Sequence, residues 1–240
     1  MIEMNKHLKW AIIAIIVAYM ITLPLFRSVV YDHLLDNYKS YSQALKIYND
    51  KNMFDYALDT KIGNILAEGT LSAKTPVVYD GKKYIILEKI TEEYTRHTRI
   101  VTKKVGKRTV TEEEVYYTWD KVDEEIKESR EIKFLGKEFK TELFVDLNTE
   151  HIETVQEPFN DIRYKYYGYA DGQKVTIAAN TSSGSLKGIS EKKYIDVYRT
   201  DVKNILEEKN PNIQLIGYTV IYSIVFLVLI AIAIYGLIEN

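Results

Sequence analysis

"EEYTRHTRIVTKKVGKRTVTEEEVYYTWD", Glu92 to Asp120, packs a basic cluster, an acidic triplet, one histidine and the aromatics Tyr94, Tyr116, Tyr117 and Trp119 around a single glycine. Gly106 can take the positive φ needed at the first position of a type II′ turn, so Gly106-Lys107 reads as the two-residue loop of a hairpin. In that register Arg99 faces Glu114, Thr98 faces Val115, and Tyr94 faces Trp119. These are an opposite-charge, a β-branched and an aromatic pair, each contributing about 0.2–1 kcal/mol to a sheet. The arms continue into "KKYIILEKI" on one side and "DKVDEEIKESREIKFLG" on the other. The pattern therefore predicts a ribbon that leaves the domain body with a basic tip at Lys103, Lys104, Lys107 and Arg108. Two uses compete for that tip. One is contact with anionic lipid head groups or an acidic partner surface. The other, favoured because lysine-rich edges are common, is a solvated end that discourages edge-to-edge aggregation.

Around the hairpin, residues 63–189 are rich in β-branched and aromatic side chains, with glycine turns at Asp80-Gly81 and Asp171-Gly172, and read as one β-rich antiparallel domain. "RYKYYGYADG" reads as a strand with tyrosine on both faces. Without a basic groove it is no base-stacking platform, and a formal charge of -2 over 240 residues gives no bulk attraction to nucleic acid.

Outside this core the composition changes. Trp10 to Phe26 holds no charged residue over 17 positions, and Leu215 to Ile238 none over 24. At about 1.5 Å per residue against a hydrocarbon layer of roughly 30 Å, the second is long enough to span and the first lies at the short limit. Lys6 and Lys9 precede the first run as in a signal peptide, but no small-residue cleavage pattern follows, so it is expected to remain as an anchor. Two spans put both termini on one side. The positive charge before the first span predicts cytoplasmic termini and an extracytoplasmic central domain. Ala11, Ala14 and Ala18 form a small-residue face suited to helix pairing, with the second span or with another copy.

Between spans and domain, two apolar stripes appear. Val30, Leu34, Tyr38, Tyr41, Leu45 and Tyr48 follow helical spacing, as do Tyr194, Ile195, Tyr198, Val202, Ile205 and Leu206, with Ser190 as a candidate N-cap and Asn210-Pro211 as the stop. These predict two stalk helices that pack on each other or, equally, on the β core. The expected fold is α+β: a tail (1–9), a first transmembrane helix (10–26), a juxtamembrane stalk helix (27–62), the β-rich domain (63–189), a second juxtamembrane helix (190–210) and a second transmembrane helix (213–238).

Chemistry is sparse. Four histidines occur, His7, His33, His97 and His151, none at metal-ligand spacing from another, and the absence of cysteine removes thiolate catalysis and cysteine zinc sites. No GxSxG, P-loop or GxGxxG is present. His97 faces Tyr116 in the hairpin register and reads as a sheet-surface residue. No cofactor or metal is expected.

The order of motifs is similar to one known family. "IGNILAEGTLSAKTPVVYDGKKYIILEK", the "EEYTRHTR" and "YYTWD" strands, "GKEFKTELFVDL", "YYGYADGQKVTIAAN" and "SLKGISEKKY" before a second span together resemble the GIDE (BAM) domain of two-pass membrane proteins. Gly69, Pro76, Trp119 and Ser190 match its pattern, over most of 63–238. The luma-type nuclear-envelope proteins have a related arrangement. Ubiquitin-ligase members of the family carry a zinc-binding RING after the second span; a chain without cysteine cannot inherit that activity. The resemblance implies a β-rich sensor or scaffold domain outside the cytoplasm, within a membrane assembly or a bacterial stress or defence system. The expected partners are the bilayer and a protein or a second copy. The alternative from another class is a membrane-bound hydrolase using Asp120, Asp123 or Asp161, for which an enclosed pocket of converging carboxylates would be the mark.

Overall fold

The computed structural model describes residues 6–106, 108–144, 147–189 and 192–238. Its centre is a pair of strands, β2 (Asn64–Ala73) and β10 (Gln173–Asn180), joined antiparallel with Ala67 opposite Ile177. Each is apolar along one face, while the other face is polar except at Leu66 and Ala178. Ile65, Ala67, Leu71, Val175, Ile177 and Ala179 enter the main core, while Leu66 and Ala178 point the other way into a second, smaller one. The outer edge of β2 is closed by β1 (Leu45–Tyr48), which pairs in parallel, and from Leu71 onward by β6 (Glu131–Phe134) and then β7 (Lys137–Lys140). The outer edge of β10 is closed by β11 (Lys187–Gly188) and β12 (Asp196–Tyr198), completing a seven-stranded sheet.

Phe134 anchors this sheet. Its ring lies over the backbone of Gly69, where an added Cβ would stand 2.8 Å from Phe134 Cε2, and it meets Phe54 edge-on at 5.6 Å. Phe54 belongs to helix α2 (Lys51–Thr60), whose N-terminus is capped by Asp50 accepting from the Met53 amide at 3.0 Å.

The second, five-stranded sheet contains β3 (Val77–Tyr79), β4 (Lys82–Val105), β5 (Arg108–Glu128), β8 (Glu150–Gln156) and β9 (Ile162–Ala170). Asp80 and Gly81, at φ +46° and +71°, form the tight turn between β3 and β4, in the primed geometry that fits a two-residue hairpin. Only the lower end of this sheet reaches the main core, through Ile85 and Tyr169. The architecture is thus α+β, with a β-rich, largely antiparallel domain and a long hairpin.

The flanking elements partly depart from the sequence expectation. Helix α1 (Lys6–Ser42) runs through the first apolar segment into the stalk, past Pro24, and ends before Leu45. Leu45 and Tyr48, expected on the helical stripe, lie in β1, because Ile47 enters the main core and the strand supplies hydrogen bonds to an edge of β2 that would otherwise be bare. In the second flank, only Val202–Glu208 is helical (α3), and it is capped by Asp201, which accepts from the Asn204 amide at 2.8 Å. Ser190, the expected cap, lies outside the described residues. Tyr198 sits in β12 and Ile195 is buried in the main core, drawn there by the open edge of β10. The break at Asn210-Pro211 is present: α4 (Pro211–Ile238) starts afresh at the proline.

Both flanks pack on the sheet as well as on one another. Tyr41 and Ala44, at and just beyond the end of α1, join Val202 and Ile205 of α3 over Leu66 and Ala178, and the Tyr41 hydroxyl donates to Asp196 at 3.0 Å. α1 and α4 contain apolar stretches long enough to cross a membrane; in their most apolar windows none of the first and 6% of the second is buried inside the protein. They lie antiparallel, with Tyr222 donating to Thr22 at 2.6 Å, Tyr19 bonded to Ser223 at 2.8 Å, and the Phe26 and Tyr222 rings stacked at 4.2 Å.

Phe134→Ala is expected to lower the unfolding free energy by about 3–5 kcal/mol, since it empties a fully buried site wedged against Gly69 and Phe54. Urea denaturation of the protein in detergent, followed by tryptophan fluorescence, measures the loss.

Candidate functional site

The most exposed built feature is the β4–β5 ribbon. Its predicted register is the observed one, with Arg99 opposite Glu114, Thr98 opposite Val115, Tyr94 opposite Trp119 and His97 opposite Tyr116. From Ile86 to Glu93, β4 is held between β9 and β5; from Thr95 to Val105 it is paired to β5 alone. At about 3.4 Å per residue this free part reaches about 35 Å from the body. A bulge between Thr91 and Glu92, opposite Val122, marks the exit and increases the local twist.

The root is fixed by a charged cluster that the sequence did not reveal. Glu92 is 9% exposed and accepts from Arg163 at 2.5 Å and Lys165 at 2.9 Å, while the Arg163 guanidinium lies 4.3 Å from the centre of the Trp119 ring. Burial pushes the Glu92 carboxyl up, but the hydrogen bonds from Lys165 and Arg163 outweigh it and hold the group below the ordinary carboxylate range. Arg163 and Lys165 lie within the tyrosine-rich "RYKYYGYA" of β9, and only three-dimensional pairing brings them to Glu92.

Above the root the two faces differ. One carries Trp119, Tyr94 and Tyr117 in contact, the last two stacked at 5.4 Å, followed by Val115 and Ile100. The other carries a polar ladder. His97 Nε2 lies 2.6 Å from Asp120, which also accepts from Thr95 and Thr118, and His97 stacks on Tyr116. The bonds from Thr95, Thr118 and His97 hold the Asp120 carboxyl low. Further out, Arg99 pairs with Glu114 at 2.8 Å and Lys103 with Glu112 at 3.2 Å.

At the tip, Gly106 has φ +65° and Val105 pairs with Arg108. Lys103, Lys104 and Arg108 are exposed there; Lys107 lies outside the described residues. The three alanines fall differently. Ala11 is half-buried, whereas Ala14 and Ala18 are exposed, and the α1–α4 contact runs through Tyr19, Thr22 and Phe26 against Tyr222, Ser223 and Phe226. Spacings of 3 and 4 among these aromatic and hydroxyl residues are the signal that marks the pairing face in the sequence.

The carboxylates named for hydrolysis do not converge. Asp120 is on the polar ribbon face, Asp123 is exposed opposite Thr91, and Asp161 is exposed just before β9. Among the described residues no group of three or more His, Asp or Glu side chains is arranged to hold a metal ion. An open cleft of about 570 Å³ lies instead where α1, β1 and α3 meet, lined by Tyr38, Lys46, Glu68 and Asp201 among others. In it Glu68 is engaged structurally, accepting from the Val202 amide at 2.9 Å at the start of α3. No family model, curated protein or solved structure matches the chain.

Because the Glu92 carboxyl is depressed in the folded protein, its contribution is complete above the ordinary glutamate pKa of about 4.3 and is lost as pH falls through the lower folded value. Amide exchange at the ribbon root, corrected for intrinsic rates, is expected to accelerate on acidification below about pH 4. Glu92→Gln should be faster at neutral pH and lack the acid step.

Proposed function

We propose that the chain is a two-pass membrane protein whose β-rich domain is a non-catalytic sensing or protein-interaction module. One observation carries this reading: two apolar helices pair side by side through aromatic and hydroxyl contacts, leave their outer faces bare, and run to the same sheet of one domain. An apolar helix with so little of its surface buried in protein is stable when lipid covers it. The hydroxyl pairs Tyr222–Thr22 and Tyr19–Ser223 suit such a setting, since interhelical hydrogen bonds in lipid contribute about 0.6–2 kcal/mol.

The interaction role rests on the ribbon. It departs from the body with exposed aromatic and charged faces, and Arg99–Glu114 and Lys103–Glu112 pair across its strands. A scaffold or sensor of the GIDE-like kind, within a membrane assembly or a bacterial stress system, is the role we assign. The termini lie in the cytoplasm and the domain outside, following the charge around the first span.

Protease added to sealed, right-side-out vesicles should digest the 27–213 segment and leave the paired helices protected. Protection of the whole segment until detergent is added would reverse the orientation. Recovery of full-length protein in the soluble fraction without detergent would remove the membrane reading altogether.

A further inference from the structure

Above Tyr94, both outer edges of the ribbon lack a strand partner among the described residues. Unpaired edges are templates for another strand, and charges usually decide which strand is admitted. The two edges here are opposite in sign. Residues 95–105 of β4 carry Arg96, Arg99, Lys103 and Lys104 and no carboxylate, whereas residues 108–118 of β5 carry Glu112, Glu113 and Glu114 against the single Arg108. Two β4 edges brought together oppose cation to cation, and two β5 edges oppose glutamate to glutamate, which is destabilising across strands. Only unlike edges match.

Direction agrees with charge. β4 and β5 run antiparallel, so a β5 edge added to the β4 edge of another copy makes the antiparallel ladder already used within the ribbon. With no shift in level, Arg99 of one copy comes opposite Glu114 of the next. An isolated two-stranded ribbon is marginal in water, and this one leaves Ile100 77% and Tyr117 51% exposed. Strands added at both edges widen it into a sheet and shelter those side chains beside their neighbours.

We propose that the ribbon is a head-to-tail assembly surface whose partner is a second copy of this chain, the acidic β5 edge of one copy pairing with the basic β4 edge of the next. The proposal rests on the reading of a bilayer-tethered interaction module. Copies held in one membrane orientation bring like edges together only after a half-turn about the bilayer normal, and then as parallel strands of like charge, whereas unlike edges meet antiparallel without that turn. Such a heterologous contact leaves one free edge at each end of a dimer, so growth continues to a closed ring or an open row.

The chain has no cysteine, so introduced thiols are unique. Full-length Thr102→Cys and Thr111→Cys chains, produced together and oxidised in isolated membranes, are expected to give a disulfide-linked dimer. Each variant alone should stay monomeric, because in the proposed arrangement identical positions are two strand spacings, about 10 Å, apart. Adding Arg99→Glu to the Thr102→Cys chain sets a glutamate against Glu114 of the next copy and should reduce the mixed dimer several-fold. A single chain carrying both cysteines forms its link internally, since Thr102 and Thr111 are cross-strand partners, and so reports that the ribbon is folded. No mixed dimer with that internal link intact would overturn the proposal, as would a dimer of either variant alone or a yield indifferent to Arg99→Glu. If these failures occur with the chain retained in the membrane pellet, the tethered-module reading survives. If the chain is soluble without detergent, that reading falls, and the mixed dimer is then judged in the soluble fraction.

Discussion

Every backbone amide and carbonyl at a sheet edge needs a partner, and this requirement shapes the protein from its stalks to its ribbon. In the seven-stranded sheet the edges of β2 and β10 are closed by short pieces of chain, β1 on one side and β11 and β12 on the other, recruited from segments that enter and leave the apolar helices. The domain is thereby sewn to both flanks at its two central strands. In the second sheet β4 has strands on both sides only as far as Glu93, where β9 ends, and β5 pairs with β4 alone, so the outer part of the ribbon projects with both edges bare among the described residues. Closure at one end and openness at the other give the molecule a fixed base and an available arm.

The same requirement separates what was legible in the sequence from what was not. The ribbon register follows from one glycine and three complementary pairs, because hairpin pairing is local and a one-residue slip would set Tyr94 against Thr118 or Asp120 in place of Trp119. The apolar helices were legible from length and lack of charge, and the stop at Asn210-Pro211 from proline stereochemistry. Leu45, Tyr48 and Tyr198 misled because tyrosine and leucine at spacings of 3 and 4 fit a helical face, while the competing demand came from β2 and β10, distant in sequence. Local periodicity carries no record of an edge that needs covering. The Glu92, Arg163 and Lys165 cluster was hidden for a related reason: its members are 71 and 73 positions apart and adjoin only once β9 lies against β4.

The site was less legible than the fold. The basic tip and the alanine face are single-element features in the sequence, but in three dimensions the tip ends a strand whose free part, residues 95–105, carries only basic charge, and Ala14 and Ala18 are exposed. What distinguishes the ribbon is the difference between its two edges, a property of the pair of strands. Its faces also differ, one built on Trp119, Tyr94 and Tyr117 and the other on a ladder of hydroxyl and charged groups.

The two legs of the domain are mechanically unequal. α1 passes from its apolar stretch to Ser42 as one helix, whereas the chain between α3 and α4 is interrupted at Asn210, just before Pro211. A twist of the sheet at Tyr41 would therefore meet a continuous helix as far as Pro24, where one backbone hydrogen bond is missing, while the corresponding motion at Ile205 would reach α4 only across a break in the chain. Any rotation of one apolar helix against its neighbour would strain the Tyr222–Thr22 and Tyr19–Ser223 bonds first, since both cross from α1 to α4.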